Sequence, residues 1–263
     1  MHTVLTIAGS DSSGGAGIQA DLKAITMNGC YGMSVITALT AQNTTGVTGI
    51  MNVAPEFVKE ELDTTITDIF PEATKIGMVS TPEIIEVIAA ALDEYELRNI
   101  VVDPVMVATS GSKLIDDAAI SLLEKELIPR ATLITPNLPE AEILLGRKIA
   151  TAADMEAAAT ELAAKFGVAV LIKGGHAKGT ASDYLSEADG GFWLHGEEIA
   201  TTNTHGTGCT LSSAIASQLA NGYELAEAVS IAKDYVTNCL KAGLDLGSGN
   251  GPLMHNYKLY YRK

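Results

Sequence analysis

The chain has 263 residues and a formal net charge of −15, with 47% hydrophobic and 19% charged residues. That apolar share is enough to offset the ordering entropy of a folded core, which excludes a disordered chain. The acidic balance excludes a general nucleic-acid or anionic-membrane surface, because such a surface needs clustered Lys and Arg, so any anionic ligand must be met by local chemistry.

The length suits one continuous domain spanning 1–263, and no linker-like composition shift or fixed-period repeat divides it. There is no positively charged leader, and no apolar run approaches the length of a bilayer span. The cysteines Cys30, Cys209 and Cys239 are odd in number, far apart and free of any C-x-x-C pair. That pattern points to reduced thiols in a cytosol.

In chain order, Val4 to Ala8 reads as a short buried strand, followed by the Gly/Ser-rich stretch Gly9 to Gly17 and a helix from Ile18 toward Met27. Further strands are predicted at Ser34 to Thr40, Lys75 to Val79, Ile100 to Asp103, Thr132 to Thr135 and Ala169 to Lys173. Helices separate most of them: Pro55 to Ile69, Pro82 to Tyr95, Asp116 to Glu126, Pro139 to Leu145 and Thr151 to Phe166. Pro82 and Pro139 suit first helical turns, Thr151 can cap its helix and Gly167 can end it. The alternation predicts an α/β fold whose mostly parallel sheet is covered by helices on both faces. Near the end, Asp189-Gly190-Gly191 between Asp183 to Leu185 and Phe192 to Leu194 predicts a hairpin and an antiparallel edge. Two helices follow, Gly208 to Ala220 and Leu225 to Leu240.

The strongest chemical signal is Asn203-Thr204-His205-Gly206-Thr207-Gly208-Cys209. Its glycines allow successive N–H groups to point into one concavity, and the helix that follows adds the positive end of its dipole. Such a cradle would stabilise a transferring phosphoryl group. Cys209, in the first turn, is expected to lean toward thiolate and to accept a proton from an alcohol. The alternative is that the glycines serve helix packing and Cys209 is a small core residue.

No G-x-x-x-x-G-K-[ST] is present, so a P-loop is excluded. Gly15-Ala16-Gly17-Ile18-Gln19-Ala20 matches a loose G-x-G-x-x-A after a strand, but the acidic residue expected about 20 positions on is missing from Leu39 to Asn43. Dinucleotide oxidoreduction is therefore the lesser reading, as is a non-catalytic ligand-binding module. Asp103 closes an apolar strand at the edge where α/β sheets bind ligands. Asn137 and Glu140 enter the next helix, where they either cap it or face the site. Lys173, before Gly174-Gly175, suits a phosphate contact. His176, Asp183 and His205 show no metal-ligand spacing, whereas magnesium brought by a nucleotide needs only one or two carboxylates.

Together these stretches resemble the ribokinase-type family, and within it the hydroxymethylpyrimidine/phosphomethylpyrimidine kinases of thiamine biosynthesis. The resemblance rests on Thr6 to Asp11 with Gly14 to Asp21, Thr40 to Thr44, Lys75 to Met78, Asp103 to Met106, Thr135 to Glu142, Lys173 to His176 and Thr204 to Thr210. It implies ATP bound near the C-terminal helices, with Lys173, Asn137 and Thr207 at its phosphates. It implies magnesium at Asp103 and Glu140, a pyrimidine held by Gln42, Gly9, Ala16, Met78 and Val105, and Cys209 as catalytic base beside the Gly206, Thr207, Gly208 and Cys209 amides. A homodimer is also implied.

Pyridoxal kinases of the same cysteine-bearing type are the nearest alternative. They tend to carry methionine where this chain has Gln42, and only glutamine can both donate to and accept from an aminopyrimidine. Asn203 departs from the Asp that relatives usually place before Thr-His-Gly, keeping the hydrogen-bonding shape but not the charge.

Overall fold

A computed structural model describes residues 1–106, 115, 117–175 and 181–260. The predicted helix start at Asp116 and the His176 of the lysine motif lie outside the described residues. Among the described residues one nine-stranded sheet runs in the order β3-β2-β1-β4-β5-β6-β7-β8-β9. Its central strands are β1 (Thr3–Asp11), β2 (Tyr31–Asn43), β4 (Ala73–Ile76), β5 (Ile100–Val102), β6 (Leu133–Ile134) and β7 (Ala169–Ile172), all parallel. The predicted hairpin is β8 (Asp183–Glu187) with β9 (Gly190–Leu194), antiparallel at one edge. A second antiparallel edge, β3 (Gly46–Asn52) on β2, was not expected. Its residues are almost all exposed, so no apolar alternation announces a strand.

Apolar residues alternate across the parallel strands and build a core on each face. Leu5, Ile7, Ile76, Val102 and Ile134 face α2 (Pro55–Asp68), α3 (Pro82–Glu94), α5 (Leu138–Leu145) and α6 (Ala152–Phe166). Val4, Ala73, Val101, Leu133 and Leu171 face α1 (Gly17–Met27), α7 (Thr207–Ala220) and α8 (Leu225–Lys241). Each large aliphatic side chain so buried contributes about 1.5–3 kcal/mol.

Local chemistry sets the helix ends. Thr81 and Thr151 cap α3 and α6 through their side chains, and α6 ends on Gly167 in the left-handed region. α4 (Asp117–Leu122) does not run on as an α-helix to Glu126 as the pattern predicts: it widens into a π-turn, Leu123–Leu127, and tightens into a 3-10 turn, Ile128–Arg130. Pro129, which lacks an N–H to continue the ladder, stands in that turn. A short α9 (Tyr257–Tyr260) ends the described chain.

Chain order reverses across β1, since β2 lies on one side of it and β4 on the other. In open α/β sheets the crevice outside the carboxyl ends of strands at such a reversal is where ligands bind. The carboxyl end of β1 and the loops after β4, β5, β6 and β7 all open there, and they carry Asp11, Met78, Asp103, Asn137 and Lys173.

Candidate active site

α7 begins on Gly206, whose φ of 79° is left-handed and favours glycine. A Cβ at Gly206 would collide with the carbonyl of Gly15, and one at Gly15 would collide with the His205 ring. Gly15 of the loose G-x-G-x-x-A stretch therefore seats the loop after β1 against the start of α7. Gly208 needs its bareness for another reason: a Cβ there would lie 3.2 Å from Lys173 Nζ and 3.3 Å from Asp103 Oδ2. The α7 amide turn, Lys173 and Asp103 thus share one small space.

Lys173 Nζ donates to Asp103 Oδ1 at 2.7 Å, and Thr135 Oγ1 donates to the same oxygen at 3.1 Å. Burial works against the Lys173 charge, but Asp103 and Glu140 outweigh it and hold the ammonium above the ordinary lysine range. Asn137 and Glu140 do cap α5: Asn137 Oδ1 accepts from the Glu140 amide at 2.9 Å and Glu140 Oε2 from the Asn137 amide at 2.8 Å. The capping reading and the site reading are compatible, because the cap presents a buried Glu140 to Asp103 and Lys173. Burial pushes the Glu140 carboxyl up to about 7, with the Asp103 charge adding to the rise and Lys173 opposing it. The Asn137 and Lys173 backbones form an isolated parallel bridge that carries the two residues side by side.

Cys209 is partly exposed at the third position of α7. The expected lean toward thiolate is corrected here: burial pushes the thiol up to about 11, with Asp21 and Asp103 adding to the rise, and Lys75 and the Gly17 amide only partly offset it. The helix dipole is real, but desolvation of an anion in this enclosure is the larger effect.

On the other side of the α7 start, His205 Nε2 lies 2.8 Å from Asp11 Oδ2 and 3.5 Å from Gln42 Nε2. Thr40 Oγ1 donates to Gln42 Oε1 at 3.0 Å. Asp11 also accepts from the amides of Ser13, Gly15 and Ala16 and from Ser13 Oγ. Burial opposes its charge, but these donors and His205 bring the carboxyl down to about 2. Gln42 is thus tied to the residue that immediately precedes the amide turn. Gly9 and Met78 touch, since a Cβ at Gly9 would lie 3.0 Å from Met78 Cε, and Ala16 lies against Gly206. Val105 is half-buried two residues beyond Asp103, its amide bonded to the Asp103 carbonyl at 2.8 Å.

Every sequence-predicted site residue therefore belongs to a segment at this crevice. Sequence reasoning missed the Asp11–His205 pair and a fully buried ion pair between Lys75 and Asp21, with Lys75 Nζ 2.9 Å from Asp21 Oδ2. It also missed the C-terminal brace. The Gly251 carbonyl accepts from the His205 amide at 3.0 Å, and a Cβ at Gly251 would strike the Asn203 amide oxygen, so Asn203 is packed into this brace. His255, whose ring burial pushes down to about 4, lies 2.9 Å from Thr210 Oγ1.

Comparison with known proteins places the chain in a family. The hydroxymethylpyrimidine/phosphomethylpyrimidine kinase of Rhizobium meliloti is 49% identical over 258 residues, covering 97% of each chain. The thiamine biosynthesis bifunctional protein of Geobacter sulfurreducens is 50% identical over 96% of this chain, which spans 52% of that longer protein. Among solved structures, the phosphomethylpyrimidine kinase of Clostridium difficile superposes with a TM-score of 0.81 at 47% identity, over 90% of this chain and 99% of that one. An ADP complex of Bacillus subtilis pyridoxal kinase superposes with a TM-score of 0.91 at 38% identity over the whole of both chains. The model of the phosphomethylpyrimidine kinase family matches residues 11–254, and the chain belongs to that family.

Proposed function

We propose that the chain is an ATP-dependent kinase that phosphorylates the hydroxymethyl group of 4-amino-5-hydroxymethyl-2-methylpyrimidine and then the resulting monophosphate, in thiamine diphosphate biosynthesis. The observation that carries this reading is the approach of Lys173 and Asp103 to the amide turn at Gly208. A cation, a carboxylate and a helix N-terminus meeting at one point suit a reaction in which negative charge is moved between phosphoryl oxygens.

In this reading the Gly206, Thr207, Gly208 and Cys209 amides receive the transferring group, while Lys173, Asn137 and Thr207 meet the ATP phosphates. Asp103 and Glu140 suit magnesium, because an ion brought by a nucleotide needs only one or two carboxylates, and these two lie with Lys173 beside the amide turn. Bound there, the ion would neutralise phosphate oxygens. Gln42 would meet the aminopyrimidine edge, with Gly9, Ala16, Met78 and Val105 along the ring. Cys209 would take the hydroxyl proton, and a loose transition state asks little of that base.

The likeness to pyridoxal kinase over the whole chain favours a second reading, phosphorylation of pyridoxal or pyridoxine. Gln42 argues for the pyrimidine, since its amide can donate and accept. An acceptor screen separates the two: ADP release with magnesium and ATP is expected with the pyrimidine alcohol and its monophosphate. Release with pyridoxal or pyridoxine alone would move the assignment to the second reading.

The whole chain, 1–263, is taken as one kinase domain. Its acidic balance favours small-molecule partners over nucleic acid or membrane, and its three free thiols suit the cytosol. The exposed β3 edge, with Ile50 and Met51 44% and 61% accessible, supports a homodimer, which light scattering would test.

A further inference from the structure

The C-terminal brace holds more than the start of α7: it also reaches the turn that follows Gln42. Thr44 stands in that turn, between β2 and β3. Its carbonyl accepts from the Asn250 amide at 3.0 Å, and its Oγ1 accepts from the Gly249 amide at 3.2 Å. A Cβ at Gly247 would strike the Thr44 side chain, and one at Gly249 would strike the Thr44 carbonyl. Immediately beyond, the Gly251 amide donates to the Thr202 carbonyl at 3.2 Å, and Pro252 forms a parallel bridge with His205. Residues 247–251 thus join two turns that are remote in the chain. The far end is anchored, since Leu253 and His255 are buried and the His255 carbonyl accepts from the Tyr235 hydroxyl on α8 at 2.9 Å.

Both turns carry residues of the proposed site. Gln42 stands two residues before Thr44, and the amides of Gly206 to Cys209 follow His205 directly. The side-chain contact between the two turns, Gln42 Nε2 to His205 Nε2, is 3.5 Å long and too weak to set their spacing. Backbone bonds set it instead. The loop after β1 grips the same two turns by other atoms, Asp11 on the His205 ring and Ser12 Oγ on the Gln42 amide and carbonyl at 3.0 and 2.8 Å.

We infer that the brace is a positioning element and Thr44 a positioning residue: together they hold the acceptor anchor at Gln42 at a fixed spacing from the phosphoryl cradle. Neither touches a reacting atom. Their role rests on the proposed reading of Gln42 and of the amide turn. Displacing a bound reactant by about 1 Å can cost about 10²-fold in rate, so the spacing matters more than the modest energy of the bonds that keep it.

Gly249→Ala tests this, because the added methyl would meet Thr44 backbone, which cannot rotate away, and Gly249 itself is exposed and outside the core. With the pyrimidine alcohol, kcat should fall about tenfold, while the KM for ATP, met by Lys173 and Asn137 on other loops, should stay within about twofold. Thr44→Val, which removes the acceptor of the Gly249 amide, should lower kcat about threefold, and Thr44→Ser should restore it. Amide hydrogen exchange followed by mass spectrometry gives a readout independent of turnover. Gly249→Ala should speed exchange about tenfold in the peptides holding residues 42–45 and 203–207 together, and leave that of α3 unchanged. Faster exchange in the first peptide alone, equal loosening of all three, or wild-type kcat in the Gly249→Ala protein would each overturn the proposal. A wild type that transfers no phosphate to any acceptor would instead remove the proposed function, and the exchange comparison would still decide whether the brace couples the two turns.

Discussion

Two buried carboxylate clusters flank the start of α7, and they are built differently. Asp11 is saturated by amides, a hydroxyl and His205, and is held ionised down to about 2. Asp103 and Glu140 share Lys173, and burial leaves Glu140 at about 7. The first cluster is complete in itself and fixes the loop after β1 against the α7 amide turn. In the second, burial disfavours the Glu140 charge and Lys173 only partly offsets that. In the proposed function the first is a positioning network and the second a ligand site, although both register equally as buried acids.

That contrast can be broken by substitution. Asp103→Asn, which takes a charge from the unfinished cluster, should lower kcat/KM by about 10²–10³-fold while the protein stays folded, as read by steady-state kinetics beside circular dichroism. Cys209→Ala should lower kcat by about 10²-fold with KM little changed, the pattern of a group that acts in the transition state. Unchanged turnover would take Cys209 out of the chemistry.

The closed cluster should respond in stability instead. Asp11 has its folded pKa depressed from 3.8 to about 2, so its contribution is present above the unfolded value and is lost as pH falls through the folded one. Asp11→Asn should therefore cost about 2 kcal/mol at neutral pH, read by urea unfolding, with the difference shrinking below pH about 4. Glu140 has the opposite sign. Its folded pKa is raised from 4.5 to about 7, so its stabilisation is present below the unfolded value and is lost as pH rises through the folded one. Glu140→Gln keeps an acceptor for the Asn137 amide, and should raise stability at pH 7 by about 1 kcal/mol while lowering activity. A loss of stability there would make Glu140 a cap and nothing more.

Much of this was legible in the sequence, for physical reasons that differ by element. Apolar runs located the parallel strands, and a proline, a capping threonine and a glycine marked helix ends at Pro82, Thr151 and Gly167. The β8–β9 hairpin announced itself by Asp189-Gly190. β3 did not, because an exposed edge carries no burial pattern, and β2 continues to Asn43 to pair with it. The amide turn, Asp103, Asn137 and Lys173 were readable because each sits beside a glycine, a proline or a strand end. The Lys75–Asp21 and Asp11–His205 pairs join positions 54 and 194 residues apart, and such pairing leaves no local trace. The raised Cys209 thiol was misjudged for the same reason, since the enclosure that raises it comes from α1 and the strand ends rather than from its own helix.

The central claim concerns which atom receives the phosphoryl group. Purified protein with magnesium, excess ATP and 4-amino-5-hydroxymethyl-2-methylpyrimidine, sampled over time by mass spectrometry, tests it. The expected result is the pyrimidine monophosphate first and the diphosphate after it, from one preparation and one site, both slowed together by Asp103→Asn. A time course in which ATP is present and the pyrimidine alcohol remains unmodified would contradict it.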